Sequence, residues 1–169
     1  MNKLGWINSE YIKSADEDEL LELVKQSTAA PENKINLSGF TDEYILNVIT
    51  LMKQRLETIN ELFDYGDYFF IEPASYDAKG LEKYWNIEIK PFFAEYSVIL
   101  QENADWNEVT LEKELRDFAE KKNIKAAAII HLLRLSFTGK TVSPGIFEVM
   151  AILGKKTVIL RINNFLHKN

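Results

Sequence analysis

The chain has 169 residues, of which 46% are hydrophobic and 27% charged, with a formal net charge of −6, no cysteine and two histidines. These figures fit one domain or two small units and exclude intrinsic disorder, disulfides, a cysteine nucleophile and a multi-histidine metal site built on His131 and His167. The sequence lacks an apolar run long enough to span a membrane and lacks an N-terminal secretion signal, so we expect a soluble, cytoplasmic protein that does not act at membranes.

The first part of the chain predicts helices separated by polar breaks. Ser14, followed by the acids of residues 16–19, predicts an N-cap with a first turn that complements the helix dipole. Pro31 and its polar neighbours predict a break, and Thr41 predicts the next helix start. Apolar residues recur at helical spacing after each start, at Leu20, Leu21, Leu23 and Val24, at Tyr44, Ile45, Val48, Ile49, Met52 and Leu56, and then at Ile59, Leu62 and Phe63.

The segment around Pro73 interrupts this pattern and is the best internal boundary. Beyond it, the sequence predicts helices over 77–86 and 91–102, a helix entered at Trp106-Asn107, and a helix over 126–137 stopped by Gly139. The next predicted helix has Ser143 as N-cap and Pro144 in its first turn, and it ends at Gly154. A last helix is predicted over 158–166. Because no period-two pattern appears, the sequence predicts an all-α protein in two contiguous helical parts, residues 1–75 and 76–169.

Charge is unevenly distributed along the sequence. Residues 1–110 hold 21 acids and 9 Lys or Arg, whereas residues 111–169 hold 5 acids and 11 Lys or Arg. No acid lies between Glu120 and Glu148. Such a segment either forms an ordinary solvated surface or attracts a polyanion to one face. The candidate phosphate contacts in it are Lys121, Lys122, Lys125 and Lys140.

Enzyme signatures are missing from the sequence. Gly139-Lys140-Thr141 resembles the end of a phosphate-binding loop but lacks the earlier glycine of that loop. The acids of residues 16–19 point in different directions on a helix, which favours a solvated first turn over a metal site, and His131 is expected to be a surface or partly buried side chain. We therefore predict no catalytic, cofactor-binding or metal-binding residue in this chain.

Two arginines stand in otherwise apolar helical patterns and are candidates for nucleic-acid contacts. Arg55 follows Leu51-Met52-Lys53-Gln54, and Arg134 follows His131-Leu132-Leu133. A guanidinium can read a base edge bidentately or stack on it. The alternative for each is an arginine whose stem lies along the edge of the core with its charge in water.

Residues 133–148, Leu-Arg-Leu-Ser-Phe-Thr-Gly-Lys-Thr-Val-Ser-Pro-Gly-Ile-Phe-Glu, carry a resemblance to a known family. They look like the C-terminal signature of bacterial-type glutamyl-tRNA synthetases, and residues 149–155 continue it. The opening Lys-Leu-Gly-Trp-Ile-Asn-Ser-Glu-Tyr-Ile-Lys of residues 3–13 is similar to the family's segment that follows its catalytic half. The C-terminal motif is specific and the first half is less so.

The resemblance implies that the chain is the helical tRNA-recognition half of a glutamate–tRNA ligase, a class I aminoacyl-tRNA synthetase. Residues 1–75 would be the stem-contact part, and residues 76–169 the helical cage that binds the anticodon loop of glutamate tRNA. Glutamate activation, with its ATP and magnesium, would belong to a catalytic half absent from this chain. Without that half we expect no aminoacylation activity, and we expect a monomer.

The resemblance also implies roles for individual residues. Arg134 matches the family arginine that contacts the middle anticodon base. Ser143, Pro144, Gly145 and Ile146 match the turn and helix start near the first base. Arg55 matches the arginine that prefers a pyrimidine at the third position and so separates glutamate tRNA from glutamine tRNA, with Lys53 as a rival for that role.

The sequence departs from the family pattern before Arg134, where alanines 126–128 and Leu133 replace the glycine and proline that are common there. Alanine favours the helix and should leave the direction of the arginine unchanged.

Two other kinds of function are kept as alternatives. They are an all-α protein-interaction module without RNA binding, and a metal-dependent enzyme, against which the residue inventory argues.

Overall fold

A computed structural model describes residues 3–28 and 35–169, and in these residues every regular element is helical. The α-helices are α1 Lys3–Ser14, α2 Glu17–Thr28, α3 Asp42–Met52, α4 Glu61–Gly66, α5 Ala78–Tyr84, α6 Lys90–Glu102, α7 Glu108–Lys121, α8 Ala126–Thr138 and α9 Ile146–Lys168. Short 3₁₀ turns, Lys53–Arg55 and Asp67–Phe69, follow α3 and α4. The all-α prediction is confirmed for the described residues, and the predicted break at Pro31 lies outside them.

The chain divides into two compact units, Met1–Ile71 and Glu72–Asn169, so the boundary falls four residues before the one predicted. The short segment after the boundary is held by the second unit. Glu72 accepts a hydrogen bond from Asn164 in α9 (2.8 Å), and Ser75 lies against Gly139 at the end of α8. The functional roles assigned to the two parts stay predictions.

The first unit is built around the packing of α2 on α3. The apolar spacing predicted for α2 places Leu20 and Val24 at 0% exposure, and Val48 in α3 is equally buried. Thr41 caps α3 as predicted, since its side chain accepts the N–H of Tyr44 (3.2 Å). The aromatic residues between α4 and the boundary complete this core; they are Tyr68, Phe69 and Phe70.

The predicted N-cap at Ser14 is wrong. Ser14 is the last residue of α1, and its hydroxyl donates to the carbonyls of Glu10 (2.8 Å) and Tyr11 (3.2 Å) in the preceding turn. Asp16 takes the capping role instead, because its carboxylate accepts the N–H of Asp18 (3.0 Å) directly before the acidic first turn of α2. A serine hydroxyl can serve either end of a helix, and the sequence alone did not separate the two.

In the second unit, α8 is the central helix and packs against α5, α6, α7 and α9. Its Ile129, Leu132 and Leu133 are fully buried. Gly139 ends it as predicted, in a left-handed conformation (φ 70°) with its N–H on the Leu135 carbonyl. The second predicted glycine stop is also found, because α9 is interrupted at Gly154 by non-helical angles (φ 76°, ψ 155°).

The two units differ in charge. Residues 1–71 hold 13 acids and 6 Lys or Arg, a net charge of −7, while residues 72–169 have a net charge of +1.

None of the helices in residues 3–28 and 35–169 is both long enough and apolar enough to cross a bilayer. In the same residues, no group of three or more His, Asp or Glu side chains is placed to hold a metal ion.

Candidate nucleic-acid interface

Arg134 lies on α8, one turn before the helix ends, and its guanidinium is oriented by a neighbouring loop. Its Nε donates to the Ser143 hydroxyl (2.9 Å), and that hydroxyl donates in turn to the Pro144 carbonyl (2.9 Å). Arg134 is half-buried, and its charged end is directed to the loop. A guanidinium has five N–H donors in one plane, so fixing Nε fixes the direction of the whole group.

The predicted capping role of Ser143 is wrong, and so is the predicted position of Pro144 in the first turn. Helix α9 begins at Ile146, after Gly145 in an extended conformation (φ −52°, ψ 128°) and with no side-chain cap. The reason is that Ser143 is already engaged with Arg134 and Pro144. The side chains of Pro144 and Ile146 are buried, whereas Gly145 is exposed, so this turn presents mainly its backbone and Ser143.

The loop between α8 and α9 packs against the N-terminal end of α5. The Gly139 carbonyl accepts the N–H of Asp77 (2.8 Å), which caps α5 through the N–H of Gly80. Thr141 packs so closely on Gly80 that a Cβ there would lie 2.6 Å from the Thr141 methyl group. At the start of the loop, the Lys140 N–H donates to the Thr138 hydroxyl (3.0 Å). The loop therefore has a defined shape before any ligand arrives.

The four candidate phosphate contacts do not form one patch. Lys121, Lys122 and Lys125 lie between the end of α7 and the start of α8, whereas Lys140 follows the end of α8. The 13 residues of α8 place its two ends roughly 20 Å apart. Lys122 is paired with Glu95 (2.7 Å), while Lys121 and Lys125 are exposed. Only Lys140 lies on the loop that carries Ser143.

Arg55 lies in the first unit, in the 3₁₀ turn after α3 rather than in the predicted α-helix. It is exposed, and its guanidinium donates to the Leu51 carbonyl (2.7 Å). Its rival Lys53 is bound to Glu17 (3.2 Å), which also accepts from the Thr50 hydroxyl. The Thr50 hydrogen bond and the Lys53 ammonium together lower the pKa of Glu17. Lys53 is thus held by a carboxylate, and Arg55 is the more accessible cation of this turn.

A cluster beside Arg134 was not singled out from the sequence as part of the site. The ring of His131, one turn before Arg134 on α8, stacks on Tyr84 of α5 (centroids 4.0 Å, 11° between planes). Lys83 lies over the Tyr84 ring at 5.1 Å. His131 is partly buried, as expected, and its Nδ1 is buried without a hydrogen-bond partner among the described residues. The three-residue spacing to Arg134 was the available signal, since it places both residues on one helix face.

The environment of His131 predicts a pH effect on stability. Burial, and then the charges of Arg134 and Lys83, lower the pKa of His131 below its ordinary 6.5. The unfolded chain therefore takes up this proton at higher pH than the folded chain, so the stability from neutral His131 is present above pH 6.5 and is lost as pH falls toward the folded pKa. We expect His131→Gln to lose less stability than the wild type between pH 7.5 and 5.5 in urea unfolding. A His131 resonance that titrates at or above 6.5 would contradict this account.

An oriented arginine beside a loop of defined shape can contact the bases or phosphates of an RNA loop. Comparison with known proteins agrees, since the family model described as "Anticodon binding domain" matches residues 19–166. The chain belongs to this anticodon-binding-domain family.

Its curated relatives include glutamate–tRNA ligases. That of Caldicellulosiruptor saccharolyticus is 35% identical over 168 residues, covering 99% of this chain and 34% of the relative. That of Chlorobaculum parvum is 32% identical over 167 residues, covering 96% and 33%. The crystal structure of a glutamate tRNA ligase from Elizabethkingia meningosepticum matches 96% of this chain and 31% of its own, with a TM-score of 0.86 and 26% identity. The chain thus spans about a third of the length of these relatives.

Proposed function

We propose that this chain is the tRNA-recognition part of a glutamate–tRNA ligase and that it binds the anticodon loop of glutamate tRNA. The observation that carries the proposal is the guanidinium of Arg134, held by Ser143 at a preformed loop within the region that the family model matches. Family membership favours this function over a protein-interaction module without RNA. The relatives' names supply the amino acid, glutamate.

In this proposal Arg134 and the start of α9 read adjacent bases. Arg134 donates to the middle anticodon base. The bond to Ser143 already sets the plane of its guanidinium for such a contact. The first base lies over exposed Gly145, where the backbone N–H groups at the start of α9 are available as donors. The Glu148 carboxylate lies beside Gly145, and its charge opposes a phosphate at this helix end. We therefore assign the start of α9 to base edges rather than to phosphate.

Arg55 is proposed to read the third anticodon base from the first unit. A guanidinium can only donate, so it pairs with the O2 of a cytosine but has no partner where a guanine turns its N1–H and N2–H₂ donors to the same position. The exposure of Arg55, compared with the pairing of Lys53 to Glu17, supports this assignment. Among the candidate phosphate contacts, exposed Lys121 and Lys125 and loop residue Lys140 are better placed than Lys122, which is paired with Glu95.

The whole ligase would attach glutamate to its tRNA with ATP. Its ATP and magnesium would be held by a catalytic part beyond the third of the relatives' length that this chain matches. We propose that the chain works as a monomer in the cytoplasm, where tRNA is charged for translation.

The test of the function compares two anticodon stem-loops, one with the glutamate anticodon C-U-C and one with C-U-G, which differ at the third position. We expect the wild type to prefer C-U-C by about 5- to 30-fold, in the lower part of the range of one discriminating base contact because Arg55 is exposed. Arg55→Gln should remove the preference, because the amide is shorter and lacks the charge. The measurement is fluorescence anisotropy at low and at moderate salt.

Lys53→Gln is the matched control, since it removes a cation two residues away that Glu17 already holds. It should leave the C-U-C preference intact. A preference that survives Arg55→Gln but disappears in Lys53→Gln would assign the role to Lys53. Equal binding of both loops by the wild type, erased by salt, would leave only nonspecific electrostatics and would refute the proposed function.

A further inference from the structure

The loop between α8 and α9 presents an apolar side chain to solvent. Val142 is 79% exposed, while its two neighbours are both anchored. On one side, Thr141 packs its methyl group on Gly80 of α5. On the other side, the Ser143 hydroxyl is bound by Arg134 of α8. Val142 is therefore held outward by fixed residues on both sides, directly next to the residue that orients Arg134.

Single exposed apolar residues are common on protein surfaces and need no explanation by themselves. Val142 differs because of where it is held and because of the charge around it. Lys140 lies two residues before Val142 in the same loop, and the guanidinium of Arg134 is bound to the next residue, Ser143. The surroundings are thus apolar at one point and cationic nearby, which fits a ligand with a flat apolar face joined to a phosphate. A nucleotide of a single-stranded RNA loop has both features.

We propose that Val142 is a base-contacting residue: the face of an unstacked base in the bound RNA loop packs on its methyl groups while Arg134 hydrogen-bonds a neighbouring base. The inference rests on the proposed function and extends it to a residue outside the turn of Ser143 to Ile146. The anchors at Thr141 and Ser143 favour such a contact, because a side chain already held in place loses little freedom on binding. Lys140 then lies near the phosphate that follows the packed base.

The test replaces Val142 by serine, which removes the apolar surface without adding charge, and measures binding to the C-U-C stem-loop. We expect affinity to fall by about 5- to 10-fold, the effect of no longer burying part of an apolar side chain of this size on binding. The matched control is Val109→Ser. Val109 is 77% exposed but lies on α7 beside Glu108 and Glu112, so its replacement should change affinity by less than about twofold. Thermal unfolding should be unchanged for both variants, since neither side chain is buried.

A second arm separates base packing from charge. Val142→Lys should also weaken binding, although it adds a cation, because the apolar contact is lost. Abasic nucleotides are placed in turn at each position of the loop. At the position that contacts Val142, the abasic nucleotide should weaken wild-type binding, and Val142→Ser should then have no further effect, as expected for two changes to one contact. If Val142→Ser binds as tightly as Val109→Ser, or if Val142→Lys binds more tightly than the wild type, this inference fails while the proposed function stands. If the wild type binds both loops equally and salt erases this binding, the proposed function fails first.

Discussion

Replacing Arg134 by alanine should weaken binding of the C-U-C stem-loop by about 10- to 100-fold, the largest binding effect expected of any single residue here. A hydrogen-bonded contact between arginine and a base edge contributes about 1–3 kcal/mol, and the bond to Ser143 means that Arg134 needs little reorientation to make it. The loss should depend on sequence, so a loop with a different middle base should be affected much less. The measurement is fluorescence anisotropy with the C-U-C loop and with a loop that differs from it only in the middle base.

Arg134→Lys is the informative comparison, because lysine keeps the charge but loses the planar group of donors. It should bind almost as weakly as Arg134→Ala. Ser143→Ala should have a smaller effect, about two- to fivefold, since it releases the guanidinium without removing it. If Arg134→Lys restores full affinity, or if Arg134→Ala weakens every RNA equally, then Arg134 contacts a phosphate and does not read a base.

Replacing Gly139 by alanine should give the largest loss of stability, about 2–4 kcal/mol, or a fall in Tm of roughly 5–12 °C. Two causes add. The left-handed angle (φ 70°) strains any side chain, and a Cβ would lie 2.5 Å from the Ser75 carbonyl and 3.1 Å from the Cβ of Pro73. The segment after the unit boundary would have to move, and with it the base of the loop that carries Ser143.

Two other glycines separate these causes. Gly154 also has a positive φ (76°), but with a ψ of 155° that is used almost only by glycine, and nothing lies within 4 Å of its added Cβ. Gly154→Ala should therefore cost about 1–3 kcal/mol through the backbone alone. Gly39 has open space and no positive φ, so Gly39→Ala should change stability by less than about 0.5 kcal/mol. The measurement is thermal and urea unfolding of the three variants. A loss of only about 1 kcal/mol at Gly139, the cost of the left-handed angle by itself, would show that the contact with Ser75 yields easily.

The sequence predicted those features of the fold that depend on near neighbours in the chain. Apolar spacing located the helices, and the two glycine stops at Gly139 and Gly154 could be recognised because a helix end needs a special backbone angle at one residue. The predictions at Ser14 and Ser143 failed for a related reason. A hydroxyl takes whichever partner is nearest, and for Ser143 that partner comes from another helix.

Features that depend on distant parts of the chain were not visible in the sequence. Lys121 and Lys140 lie in one acid-free stretch, yet α8 separates them to its opposite ends. Arg161 reads as one more surface cation, but it is 4% exposed and donates to the Phe137 carbonyl (2.7 Å). The stacking of His131 on Tyr84 joins residues 47 positions apart. The roles of Arg55 and Arg134 came from the resemblance alone and stay predictions.

Under the proposed function, the acidity of the first unit bears on how the chain would select among competing RNAs. Most RNA that a tRNA-binding protein meets in a cell is not its own partner, and a uniformly basic surface would hold all of it through phosphate contacts that carry no sequence information. With 13 acids against 6 Lys or Arg, the first unit repels a passing polyanion. Arg55 is one of the few cations on this unit, so an RNA that settles there must gain enough from matched short-range contacts to offset the repulsion. Under the proposed function, weak general attraction would leave the chain unoccupied by other RNAs, and the anticodon loop of its own tRNA would face little competition.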